Sequence, residues 1–508
     1  MKNKVLEKCQ IKELCIFILF FAAILSNIIL NPINDLDEIW NYNFARNISN
    51  GLVPYRDFNM IITPFTAMIT GIILKITCDE LIIMRFMAAI LGALIMLFTY
   101  KIFIEIKIIR NEIAFIFTSF IYILFKDLFC IDYNFATLLC ALVIIYIEIK
   151  QNNENNNIFL IKKNTEFWIG VLAGISLMIK QTSGATICII ALGNKLLFVR
   201  TKEQFKAFLK FFLVRIVGMF IPIFAIIIYL LINNAFKDFI SYTINGVSSF
   251  NNFISYKSLL NWNSASVYDK VISVLAITIP LTFVYSWYLC VMREKEKNSY
   301  FILVYGLATF VITFPISNCI HFLIGALPWI IILLYEIYKI LYKIYLITQN
   351  NKKKYIFLLS FVNVFIILTM IFYIIKHSYN YIETKDSFSE SNHYRYIIIS
   401  KELEMQIKKI DNYIKSSTEK VLILDSSAAI YMIPINQYNK DYDMFNNGNF
   451  GKDGEQRLKK DIINSKNVKY LVLKDEYKKN WQTPLSVIEE LKSNKRKIDE
   501  IEIFDIYE

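Results

Sequence analysis

Apolar runs of roughly 17 to 25 residues recur along this chain, separated by short charged loops. That length matches a helix crossing a hydrocarbon core of about 30 Å. A chain of 508 residues with a mean hydropathy of +0.44 is too apolar to be soluble and too long for a single core. The expected fold is a polytopic α-helical membrane protein in a lipid bilayer. The runs place eleven transmembrane spans, at 13–30, 82–104, 112–127, 133–149, 166–180, 182–198, 209–232, 270–292, 299–316, 320–343 and 355–376. The stretch 61–77 is also apolar, but it carries Pro64 early and Lys75 late. It reads as a helix tucked against the outer face or dipping partly into the bilayer.

The net charge of +12 would point to nucleic acid in a soluble chain. Here the basic residues gather in short loops, so no nucleic-acid partner is expected. With the N-terminus cytoplasmic, the clusters at KNKVLEK, 101–110, 150–163, 195–210, 293–297 and 339–354 all fall on the inner side. Counting 61–77 as a crossing would put half of them outside, against the positive-inside rule. The expected location is the plasma membrane, with the loops 31–81 and 236–269 and everything after 376 on the outer face. The chain opens with lysines and an apolar run, but no small-residue cleavage site follows, so the run reads as the first span. Eight cysteines without CxxC spacing read as buried thiols, and three histidines exclude a histidine-cluster metal site.

From His377 onward the composition turns polar. Residues 377–398 read as a linker and 399–508 as an extracytoplasmic α/β domain. Its expected helices are 401–416, 455–465 and 486–493. Its expected strands are 421–425, 468–474 and an alternating edge strand at 498–507. Gly170 and Gly174 form a GxxxG pattern that favours close helix packing. The glycine-rich stretch 448–454 lacks P-loop spacing and reads as a turn-rich loop. The Asn47-Ile48-Ser49 sequon lies inside a helical pattern, where it is expected to carry nothing.

The loop after the first span is the chemically richest segment. It holds Asp35, Asp37, Glu38, Arg46, Arg56 and Asp57, more charge and more length than a mere connection needs. Residues 39–50 can form a short amphipathic helix. Carboxylates at a membrane surface are well placed to meet a substrate anchored in lipid. Transfer of a group from a phosphate to a hydroxyl needs one carboxylate to take the acceptor's proton. The leaving phosphate is already acidic, so no general acid is obligatory, and cations must hold it. Arg56, Arg85, Lys180 and His321 are the candidate phosphate ligands near the outer face. Each has a plainer reading: Lys180 and Arg85 fit snorkelling side chains, and His321 fits an interfacial hydrogen-bonded histidine. Asp132 fits a helix cap, and Asp37-Glu38 a solvated turn.

Taken as a set, several stretches resemble the GT-C membrane glycosyltransferases, in particular the bacterial branch of protein O-mannosyltransferases and aminoarabinose transferases. They are Asp37-Glu38, Gly51-Leu52-Val53-Pro54-Tyr55-Arg56-Asp57-Phe58 with Pro64, Asp132-Tyr133-Asn134, Lys180-Gln181-Thr182, and Phe314-Pro315 through His321 to Ala326-Leu327-Pro328. The chain departs from that pattern at Thr63-Pro64, where paired prolines are common, and at Ile316, where an arginine often follows the proline. The resemblance implies a transmembrane catalytic domain over 1–376 that takes a sugar from a polyprenyl-phosphate donor. It makes Asp37 the general base, Glu38 its orienting partner and Asp57 a second acid. Tyr55, Arg56, Arg85, Asp132, Lys180, Gln181 and His321 would contact substrate or donor phosphate. Inversion at the anomeric carbon is expected. The acceptor, whether protein, lipid or surface glycan, stays open, and a divalent cation is neither demanded nor excluded. The alternative is a transporter or lipid flippase, which favours mid-membrane charges and repeated halves. In this sequence most charges sit at span ends and the halves differ.

Overall fold

A computed structural model of the chain describes residues 2–33, 36–106, 109–155, 162–246, 253–292, 297–348, 352–477 and 483–508. Asp35 lies outside them. The first part of the chain contains the helices α1 (Lys2–Ile28), α2 (Leu36–Ser49), α3 (Phe65–Ile76), α4 (Leu81–Glu105), α5 (Asn111–Phe125), α6 (Tyr133–Asn155) and α7 (Lys163–Ile179). It continues with α8 (Gln181–Gly193), α9 (Lys202–Ile232), α10 (Phe236–Phe239), α11 (Val267–Trp287), α12 (Lys297–Phe310), α13 (Cys319–Thr348) and α14 (Lys352–Glu383). This is a multi-pass membrane protein.

Every expected span has a helix, but among the described residues only seven helices are long and apolar enough to cross: α1, α4, α6, α9, α11, α13 and α14. The others are cut short. Lys180 adopts an extended backbone (φ −146°, ψ 119°) that divides one apolar stretch into α7 and α8. Helix α3 has 12 residues and rises about 18 Å, less than a hydrocarbon core.

Small residues set the tightest crossing. A Cβ on Gly170 of α7 would lie 2.1 Å from the carbonyl oxygen of Arg215 on α9, and one on Gly218 of α9 would lie 2.2 Å from that of Phe167. Backbones this close require glycine. The same crossing buries four charges. Arg215 bonds Glu166 at 2.6 Å and Glu148 at 2.5 Å, while Lys195 bonds Glu166 at 2.7 Å. Asn194 and Gln151 donate to the two carboxylates at 2.8 and 3.1 Å. Two acids and two bases, ringed by hydrogen bonds, make a neutral lock that holds α6, α7 and α9 together. At the opposite extreme, only 6% of the membrane window of α14 is buried. Clefts of about 480 and 470 Å³ run along its contacts with α1 and α5.

The remainder of the chain forms α15 (Lys401–Ser416), β1 (Lys420–Ile423), α16 (Ala428–Met432), α17 (Gly454–Asn464), β2 (Val468–Leu473), α18 (Leu485–Asn494), β3 (Lys497–Ile501) and β4 (Phe504–Tyr507). The four strands make one sheet in the order β1-β2-β4-β3, with β1 and β2 parallel and β4 antiparallel to both of its neighbours. The stretch read as a single edge strand is therefore a hairpin. Glu502 takes a left-handed turn at φ 48°, β3 forms the edge, and the wholly buried β4 lies inside the sheet. The stretch read as a linker is ordered as well. Helix α14 runs on to Glu383, Tyr394 and Ile397 are buried, and Ile398 O accepts from the Ile33 amide at 3.1 Å.

Candidate active site

Helix α2 carries the acidic pair in its first turn, where carboxylates complement the positive end of the helix. Asp37 is half-buried, and its carbonyl accepts from Asn41 Nδ2 at 2.8 Å. Glu38 faces α4. Arg85 Nε and Nη2 bond its two carboxylate oxygens at 2.8 and 3.0 Å. The third guanidinium nitrogen donates to Asn31 O at 2.6 Å. Arg85 is 2% exposed and the Glu38 side chain 14%. The arginine thus braces Glu38 and the exit of α1, with all three nitrogens engaged inside the protein.

Around Asp37 gather residues from three further places in the chain. Asp132 precedes α6, Lys180 stands at the α7–α8 break, and His321 opens α13. Asp132 Oδ2 accepts from the Asn134 amide at 3.1 Å and so caps α6, as its plainer reading requires. Its other oxygen is buried and makes no hydrogen bond among the described residues. Burial pushes the Asp132 carboxyl up to about 6, against the pull of the Lys180 ammonium. Lys180 Nζ donates to Asn134 Oδ1 at 2.6 Å and sits 5.1 Å from the centre of the Tyr133 ring. The charges of Asp132 and Asp37 both act on Lys180, and Lys180 acts in turn on His321. Asn318 Oδ1 accepts from the His321 amide at 3.0 Å and lies 2.6 Å from Nδ1, which makes Nδ1 the donor nitrogen. Gln181 is a strut. Its Nε2 reaches Ile61 O at 2.8 Å and Thr243 O at 3.1 Å, tying the helix break to the first loop.

The segment from Gly51 to Phe58 folds on itself beside this cluster. Gly51 and Tyr55 have positive φ, 86° and 69°, and Tyr55 N donates to Phe58 O at 2.7 Å. The Tyr55 ring is buried against Phe239, and its hydroxyl donates to Ile62 O at 2.7 Å. Asp57 accepts from the Val53 amide at 2.7 Å and from Arg56 at 2.8 Å through each oxygen. The Arg56 guanidinium holds its carboxyl below the usual carboxylate range. Among the described residues these contacts shape the turn, and none of them joins Asp57 to Lys180. Asn47 of the sequon is fully buried in α2.

Among the described residues no group of three His, Cys, Asp or Glu side chains could hold a metal ion. The chemistry the cluster offers is that of one carboxylate, Asp37, beside a cation, Lys180, with Asp132 tuning the cation and Glu38 fixing the helix. Asn134 and Asn318, the amides that orient Lys180 and His321, both lie within the matched stretches, but sequence reasoning gave neither a role, since amides carry no charge signal. It also passed over Arg215 and Glu148, although both fall inside expected spans, where an ionisable group is noteworthy by default.

No protein-family model matches the sequence, and no curated protein matches it significantly. Solved structures do. ArnT from Cupriavidus metallidurans in the apo state aligns with a TM-score of 0.56 at 10% identity, over 98% of each chain. The same protein bound to undecaprenyl phosphate aligns with a TM-score of 0.54, again at 10% identity and 98% of each chain. An oligosaccharyltransferase from Archaeoglobus fulgidus reaches 0.45 at 12% identity, over 90% of this chain and 67% of the other. At such identity the ArnT likeness is one of architecture alone, carried end to end: the chain has an ArnT-like fold.

Proposed function

We propose that this protein is a membrane glycosyltransferase that moves a sugar from a polyprenyl-phosphate-linked donor to an acceptor hydroxyl at the outer face of the membrane. The observation that carries this reading is the convergence of Asp37, Asp132, Lys180 and His321, from four separate segments, at one site. The ArnT-like fold supports the class, as does the lipid phosphate bound by that neighbour. Asp37 accepts the proton from the acceptor hydroxyl as its oxygen forms the new bond to the anomeric carbon. The bond from that carbon to the phosphate oxygen breaks, and the phosphate leaves with the electron pair, held by Lys180. Attack opposite the leaving group inverts the anomeric centre. Arg85 acts by bracing Glu38. Tyr55, Arg56 and Asp57 shape the rim of the first loop, and the C-terminal α/β unit stands on the outer side.

The neutral, hydrogen-bonded pairing of Glu148, Glu166, Lys195 and Arg215 suits a structural lock better than a transport pathway. The test is sugar release from radiolabelled polyprenyl-phosphate sugars by wild type and Asp37→Asn in native-lipid nanodiscs. Asparagine keeps the shape and cannot take a proton, so turnover is expected to fall by roughly 10²-fold or more with donor binding retained. Equal turnover in the two would remove Asp37 as the base. Absence of both turnover and donor binding in wild type would remove the transferase reading.

A further inference from the structure

Helix α2 is fixed from two sides, and one of them belongs to the far end of the chain. Arg46, in its last turn, is 0% exposed. Its Nε lies 3.2 Å from Asp79 Oδ2 in the α3–α4 turn. Its Nη2 donates to Asn436 Oδ1, and its guanidinium lies 5.5 Å from the centre of the Tyr438 ring. The buried carboxylate of Asp443 acts on the same cation. Earlier on α2, Trp40 Nε1 donates to Ser426 O at 3.0 Å. The Tyr42 hydroxyl donates to Asp79 O at 2.9 Å, with His393 O at 3.3 Å beside it. The loop beyond the helix is held likewise: Asn59 donates to Asn449 O, and Lys440 donates to Arg56 O at 3.1 Å.

In a dry site each guanidinium donor met inside the protein counts, because leaving it unmet is costly. Asp79 faces Nε at ion-pair distance, but Nε and Nη1 make no hydrogen bond among the described residues. The acceptor that meets Nη2 is Asn436 Oδ1, and the same segment, 436–443, sets the Tyr438 ring and the Asp443 carboxyl near the cation. Asp37 lies nine residues before Arg46 on the same helix, a rise of about 13 Å, so displacement at one end of so short a rod reaches the other.

We propose that Arg46 is a positioning residue that makes the C-terminal segment part of the catalytic unit, holding Asp37 and Glu38 in register with Lys180. The inference rests on the proposed transferase reading for its kinetic consequence only. It gives the C-terminal unit a role in every turnover, whichever acceptor is used, where a role in acceptor choice alone would leave the rate with a good acceptor untouched.

The test uses Asn436, whose backbone is left-handed at φ 56°. Glycine suits that conformation, so Asn436→Gly removes the acceptor oxygen without straining the turn. Asn436→Asp keeps an oxygen toward the arginine. In the full-length protein, Asn436→Gly is expected to speed amide hydrogen exchange across 36–49 about tenfold, as loss of a charge-assisted bond would. It is also expected to lower kcat severalfold while leaving the donor KM unchanged, and Asn436→Asp is expected to behave as wild type. Unchanged exchange in Asn436→Gly would overturn the proposal. Faster exchange with unchanged kcat would overturn it too, reducing Arg46 to a structural contact. Should wild type neither turn over nor bind any polyprenyl-phosphate sugar, the transferase reading fails. Exchange across 36–49 then decides alone whether the segment holds α2.

Discussion

Replacing Gly170 by alanine should loosen the α7–α9 crossing, and the size of the effect follows from the geometry. The added Cβ would meet the Arg215 carbonyl oxygen at 2.1 Å and its carbonyl carbon at 2.9 Å, where ordinary contact begins at 3.4 Å. The obstacle is backbone, so no side-chain rotation relieves it, and the helices must part by about 1.3 Å. The residue pushed away is Arg215, whose guanidinium bonds Glu166 on α7 at 2.6 Å. Glu166 lies one helical turn before the substituted site, so separation stretches the charge lock as well. Overpacking costs about 1–3 kcal/mol, and breaking a buried ion pair about 3–5 kcal/mol. Full overpacking with partial loss of the pair gives about 2–5 kcal/mol. The assay is the temperature at which half the protein loses its monodisperse peak after heating in detergent, expected to fall by about 2–5 °C. Gly193→Ala is the control, since a Cβ there meets nothing within 4 Å, and it should leave that temperature unchanged. A Gly170→Ala protein as stable as wild type, or equal losses in both variants, would refute the reasoning.

Two further outcomes are expected. Asp132 titrates near 6, so if its carboxylate supports Lys180, kcat/KM for donor should fall as pH drops through about 6. Asp132→Asn, which cannot titrate, should lose that limb; pH–rate profiles of both proteins check this, and coincident profiles would refute it. Asp443 is raised by burial to about 7. An acid raised on folding favours the native state at low pH, so stability should decline from pH about 4 to about 7 and then level, by at most about 4 kcal/mol. Asp443→Asn keeps the acceptor for the Asn439 amide. Its unfolding temperature should exceed that of wild type by most at pH 8 and by progressively less toward pH 4, and equal pH dependence in both would refute the assignment.

What could be read from the sequence was whatever repeats or carries charge. The apolar runs located helices in all eleven places, and α15 occupies the residues that its amphipathic pattern marks out. The Asp37, Asp132, Lys180 and His321 segments were each marked by a charge beside an apolar run, and the structure brings them together. What escaped is relational. Alternation along 498–507 fits one strand or two, and only the left-handed Glu502 divides it. Arg85 reads equally as a phosphate ligand or a snorkelling side chain, because a cation at a span end has no visible partner in one dimension. Glu38, 47 positions away, supplies one in three. Arg46 and Asn436 are ordinary residues until the fold sets them side by side.

The contact between Arg46 and Asn436 joins residues 390 apart in the chain, and that separation is also an interval of time. At about 5–20 residues per second, a ribosome needs about 20–80 s to pass from one to the other. Through that interval the helix bearing Asp37 exists without the residue that bonds its far end. The Arg46–Asn436 contact forms only after translation has passed residue 436, so α2 spends that time without its partner from the distant segment.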